Sequence, residues 1–126
     1  MAKKRSKCDP RLRGTWRSDR RLTFKHFTPR HGSTPAKLRK FKAVFGKLIV
    51  HWQNGYCNTE FDGAKSRERY EIVASDSVSV VIRYFHDVLG EERLQQIFFE
   101  DDYYWFWTVW GMREFFRRVP ILPRRG

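Results

Sequence analysis

From Lys47 to Val119 the chain alternates apolar and polar side chains with a period of two, the pattern of strands that bury one face. The clearest piece is Lys47 to Asp62, which turns at Asn54-Gly55. Asn-Gly favours a two-residue type I′ turn, and that turn sets the register. Gln53 then pairs with Tyr56. Trp52 with Cys57, Val50 with Thr59 and Leu48 with Phe61 make an apolar face. His51 with Asn58, Ile49 with Glu60 and Lys47 with Asp62 make the other. A slip of one residue would exchange the two faces. Further strands are predicted over Ser66 to Ala74, Val78 to Phe85, Arg93 to Phe99, Tyr103 to Trp110 and Met112 to Val119. Asp62-Gly63, Ser75-Asp76-Ser77, Asp87 to Glu92, Glu100-Asp101-Asp102 and Gly111 separate them.

Helical spacing replaces alternation earlier in the chain. Thr34 suits an N-cap, Pro35 the first helical position and Gly46 the stop. Leu38, Phe41, Val44 and Phe45 then share one side, opposite Lys37, Arg39, Lys40 and Lys42. Ser18-Asp19 is a second candidate cap, for a short helix between Arg20 and Phe27. Before this lies Gly14-Thr15-Trp16-Arg17, a first strand, preceded by a basic stretch.

About eight antiparallel strands in meander order are the number that closes a small up-and-down barrel, with an open meander or a two-sheet sandwich as the alternatives. Closure pairs the first strand with the last, Glu114 to Val119. It brings Arg117 or Arg118 over the ring of Trp16; alternation permits only one of the two. A Gly-x-Trp on strand one with an arginine of the last strand across it resembles the calycins, the lipocalin and fatty-acid-binding-protein superfamily. That resemblance implies an all-β barrel, a helical lid over about residues 20–46, and a small apolar or amphipathic ligand inside. Fatty-acid-binding proteins hold the ligand carboxylate with an Arg-x-Tyr pair on the last strand. Here the strand reads Arg113-Glu114-Phe115 and Arg117-Arg118-Val119, without that tyrosine. The expected organisation is a basic flexible tail over 1–13, one calycin-like barrel over 14–119 and a C-terminal tail over 120–126.

The interior is expected to be lined by Trp52, Phe61, Tyr70, Tyr84 and Phe106, which become the candidate ligand residues. Tyr103-Tyr104-Trp105-Phe106-Trp107 puts rings on both faces of one strand, so some must lie outside the core.

Charge adds a second class of partner. The net charge is +12. Residues 1–46 carry 15 Lys and Arg against two Asp, while residues 47–126 carry 11 against 12 acids. The alternative function is therefore polyanion contact through Lys3, Lys4, Arg5, Lys7, Lys37, Arg39, Lys40 and Lys42. No apolar run has the length of a signal peptide or a membrane span. The two cysteines, Cys8 and Cys57, make no disulfide framework, and a cytoplasmic setting is expected. His26, His31, His51 and His86 are not spaced as metal ligands, and Glu100-Asp101-Asp102 reads as a solvated turn. No nucleophile elbow, zincin helix or phosphate loop is present. The expectation is a non-enzymatic protein without metal or cofactor.

Overall fold

A computed structural model describes residues 8–29, 32, 34–86, 89–108 and 111–120. Eight strands form one closed antiparallel barrel in which each pairs with its neighbours in sequence and the first with the last. They are β1 (Gly14–Ser18), β2 (Ile49–Gln53), β3 (Tyr56–Phe61), β4 (Ala64–Ser75), β5 (Ser79–His86), β6 (Glu91–Glu100), β7 (Tyr103–Trp107) and β8 (Arg113–Arg118). Two helices, α1 (Arg20–Lys25) and α2 (Pro35–Val44), lie between β1 and β2. Asp19 caps α1 by accepting from the Leu22 N–H, and Thr34 caps α2 by accepting from Lys37.

The β2–β3 register is the predicted one: Gln53 faces Tyr56, Trp52 faces Cys57, and His51 faces Asn58. Its turn is not type I′. Gly55 has φ +75°, but Asn54 is not among the residues with positive φ, so only the second turn position is left-handed, as type II requires. A tertiary contact accompanies the difference: the Asn54 Oδ1 accepts from the Cys8 N–H at 2.9 Å and from Arg13 Nη2 at 3.3 Å. The left-handed pair is instead Asp62-Gly63, with φ of 51° and 86°, between β3 and β4.

The seam between β1 and β8 closes the barrel. Trp16 pairs with Arg118, and the guanidinium lies 4.3 Å from the ring centre. Arg118 also donates to the carbonyls of Arg13 at 2.6 Å and Arg11 at 3.1 Å. Gly14 makes room for it: a Cβ there would meet the guanidinium at 2.8 Å, and its φ is +115°. Arg117 points the other way, to Asp19 at 2.6 Å and Asp102 at 3.5 Å.

Residues 8–13 depart from the predicted tail. Cys8 and Leu12 are buried with Trp16, Val50, Trp52, Cys57, Tyr70, Val80, Ile82, Ile97, Tyr104 and Phe116 in one core cluster. The Leu12 carbonyl accepts from Trp16 Nε1 at 2.7 Å. Arg11 ion-pairs with Asp9 at 3.0 Å and lies 4.5 Å from the ring centre of Phe99. This short segment plugs one end of the barrel. Two apolar side chains in a basic stretch suffice, because the barrel mouth supplies the remaining apolar contacts. Residues 1–7 and 121–126 lie outside the described residues.

One strand expectation also changes. Phe61, predicted inside, is 40% exposed, because β3 carries it past the end of the barrel into the β3–β4 turn. The β4–β5 register shifts between Ile72 and Ala74, a bulge that leaves Val73 exposed. Among the described residues no helix is long and apolar enough to cross a membrane.

Candidate functional site

Pairing assigns each strand residue to the inside or the outside, because residues facing each other across a ladder share a face. From Trp52 the inward set passes to Cys57 and Glu68, and on the other side of β4 from Tyr70 to Tyr84 and Arg93. It continues through Ile82 to Gln95, through Val80 to Ile97, and along β7 and β8 through Tyr104, Phe106, Glu114 and Phe116.

These residues fall into two halves. At the plugged end Trp16 and Tyr104 meet edge to face at 4.7 Å, Tyr104 stacks on Phe116 at 4.9 Å, and Trp52 meets Tyr70 at 5.1 Å. Their polar atoms are paired internally. Trp52 Nε1 donates to the Tyr104 hydroxyl at 3.2 Å, and the Tyr70 hydroxyl donates to the Gln53 carbonyl at 2.6 Å. Burial pushes both tyrosine pKa values up. Trp52 and Tyr70, expected to line a ligand cavity, are therefore core side chains beneath the Cys8–Leu12 plug. Cys57 belongs to the same half; burial raises its thiol to about 12, with Glu68 a lesser cause, so it is no nucleophile at neutral pH.

Toward the helices, most inward side chains are only partly buried. Leu48, Thr59, Glu68, Tyr84, Arg93, Gln95 and Phe106 are all in this state. The Tyr84 pKa rises chiefly through burial, with Arg93 opposing the rise and Glu68 adding to it; Arg93 itself ion-pairs with Glu91 at 3.2 Å. This half mixes apolar walls with donors and acceptors, and it contains Tyr84 and Phe106 of the expected ligand set. Phe61 stands at its rim. Sequence reasoning put Thr59 on the inner face without naming it a site residue and missed Glu68, Arg93 and Gln95, although extending the alternation across the ladder places each of them inside.

Glu114 marks the edge of this space. It is 8% exposed and accepts from Ser18 Oγ at 2.7 Å, while Ser18 Oγ accepts from the Gly46 N–H at 3.2 Å. Burial raises its pKa and the Ser18 bond opposes the rise. No salt bridge reaches it among the described residues.

The helices pack against each other through an aromatic cluster. Phe24 meets Phe27 and Phe45 at 5.2 Å each and Phe41 at 6.0 Å. Thr23 ties α1 to β8, its hydroxyl accepting from the Phe115 N–H at 3.0 Å. Lys37, Arg39 and Lys40 are exposed on α2, whereas the Lys42 ammonium sits 5.3 Å from the Phe24 ring centre. Lys3, Lys4, Arg5 and Lys7 lie outside the described residues, as does His31. His51 faces outward, bonded to Thr15 at 2.7 Å, and His86 lies at the rim, 6.3 Å from the Tyr84 ring. Among the described residues no three potential metal ligands come together.

The fold is a small closed antiparallel barrel with two short helices between its first two strands, compatible with the calycin architecture. Compared with protein-family models, curated proteins and solved structures, the sequence finds no match.

Proposed function

We propose that this chain is a non-enzymatic binding protein for a small amphipathic molecule, held in the half of the barrel beneath α1 and α2. One observation carries the reading: most inward side chains at this end, Glu114 and Ser18 excepted, are only partly buried, whereas Tyr104 and Phe116 at the other end are fully sealed. Phe106, Leu48 and Tyr84 offer apolar surface, and Gln95, Thr59, Arg93 and Glu68 offer polar anchors, the mixture typical of small-molecule sites. The Trp16–Arg118 contact supports a calycin-like ancestry and hence the same class of ligand. Two buried free thiols support a reducing, cytoplasmic setting.

Native mass spectrometry of the protein purified from cells, with Nile red titration as a second readout, tests this. The expected result is a retained small molecule or saturable Nile red binding, lost in a Gln95→Trp variant that fills the space. A protein that carries nothing and binds no Nile red overturns the reading.

A further inference from the structure

On the outside of the barrel, a groove of about 550 Å³ runs between the end of α1 and the β7–β8 hairpin. Its chemistry differs from that of the interior. Trp107 and Arg113 face each other across the ladder, and Trp107 is 54% exposed. The Arg113 guanidinium lies 5.0 Å from the ring centre of Trp105, 5.6 Å from Phe115 and 5.8 Å from Trp107. Three rings hold this cation, and among the described residues no carboxylate neutralises it. From the α1 side the His26 imidazole stacks on Phe115 at 5.1 Å, with 29° between the planes. Phe27 and Met112 complete the apolar lining.

We propose that this groove binds a nucleotide, its base on the open face of Trp107 and its phosphate at Arg113 and His26. An indole face offered to solvent beside a fixed, uncompensated guanidinium selects for a flat ring that carries negative charge. A purely apolar ligand would desolvate the guanidinium without pairing it. A cationic ligand would be repelled, and a simple carboxylate would leave the indole unused. The size lies within the range of small-molecule clefts, roughly 300–1,000 Å³. The surroundings have the matching sign. α1 contributes Arg20, Arg21 and Lys25, α2 contributes Lys37, Arg39, Lys40 and Lys42, and neither helix contains an acid. A stacking ring beside a basic surface is the arrangement by which proteins hold single-stranded nucleic acid. The shared chemistry is a base with its phosphate, supplied by a free nucleotide or by a strand.

Fluorescence polarisation with a fluorescein-labelled ten-residue oligothymidylate tests it, with AMP as competitor. Trp107→Ala is expected to weaken binding about 5- to 100-fold, and Trp107→Phe, which keeps a ring, to recover most of it. Arg113→Met is expected to weaken binding and to lower the salt dependence by about one ion. Phe85→Ala, an exposed apolar residue on β5, should change nothing. Displacement by AMP assigns the groove to free nucleotides. Failure of AMP to compete, with Trp107→Ala still weakening the strand, assigns it to strands. No binding at about 50 mM salt, or binding equal in the wild type and in folded Trp107→Ala, overturns the proposal. Lumen binding of Nile red is unaffected in either case, so the two proposals fail separately.

Discussion

Leu12→Ala tests whether residues 8–13 are part of the fold. Leu12 is 0% exposed, within the cluster that contains Trp16 and Tyr104. The substitution removes three carbons; at about 0.8 kcal/mol each, the lost transfer energy is about 2.4 kcal/mol. A cavity term is added, because the barrel wall cannot collapse onto the space. The total expected is about 3–4 kcal/mol, inside the range of about 2–5 kcal/mol for buried leucines. The carbonyls of Arg11, Leu12 and Arg13, which accept from Arg118 and Trp16, are backbone atoms and survive the change. Guanidinium denaturation with matched m-values measures the loss. A thermal melt should fall by roughly 10–20 °C, since about 1 kcal/mol shifts a domain of this size by roughly 3–6 °C. Leu12→Met, which keeps the volume, should cost less than about 1.5 kcal/mol. A loss below about 1 kcal/mol for Leu12→Ala would show that the segment leaves the barrel in solution and that the cluster closes without it.

Arg118→Met should cost roughly 1–2 kcal/mol through the lost cation–π contact, and Arg117→Met less than about 1 kcal/mol, because its ion pairs are solvent-exposed; equal effects in urea denaturation would refute the assignment of the seam. Glu114 has a raised folded pKa, so between its unfolded value and that raised value the folded state holds a proton that the unfolded state has released. Its contribution is thus full below the unfolded pKa and falls as pH rises through the folded one; Glu114→Gln should flatten that decline in a pH series of melts, and an unchanged profile would exclude Glu114 as its source. Cys8 and Cys57 should both resist iodoacetamide in the native protein and react only after denaturation, as read by intact mass; rapid native labelling of Cys57 would contradict its burial.

The hairpin of β2 and β3 was legible because alternation and the Asn-Gly turn agree on a single register. Alternation also placed Tyr84 and Phe106 inside, and allowed one of Arg117 and Arg118 to meet Trp16. It fixes a face, though, and not a depth. Phe61 is in phase with Cys57 yet stands beyond the end of the barrel, while Trp52 and Tyr70 are in phase with Tyr84 and Phe106 but lie in the sealed half. The plug was illegible for a different reason. Cys8 and Leu12 are isolated apolar residues with no period, and their burial depends on a mouth built by strands far along the chain. The same distance explains the turn at Asn54, whose side chain is engaged by Cys8 and Arg13. Arg113 and Trp107 were visible as residue types, but only the β7–β8 register and the return of α1 bring them together with His26.

The pairing order of the barrel has a kinetic meaning. Every ladder but one joins strands adjacent in sequence, so most of the sheet can grow hairpin by hairpin. The exception is the β1–β8 seam, where Arg118 reaches Arg13 across 105 positions. Closing that loop carries the largest entropy cost in the molecule and gains contacts only after both strands are in place. The seam is therefore expected to form after the folding barrier. In stopped-flow chevrons, Arg118→Met and Leu12→Ala should speed unfolding and leave the folding arm nearly unchanged, whereas Cys57→Ala, inside a local hairpin, should slow folding. An effect of Arg118→Met mainly on the folding arm would place closure before the barrier. With late closure, the seam and its plug act as the latch that sets how long the folded barrel lasts, and residues 8–13 govern lifetime more than foldability.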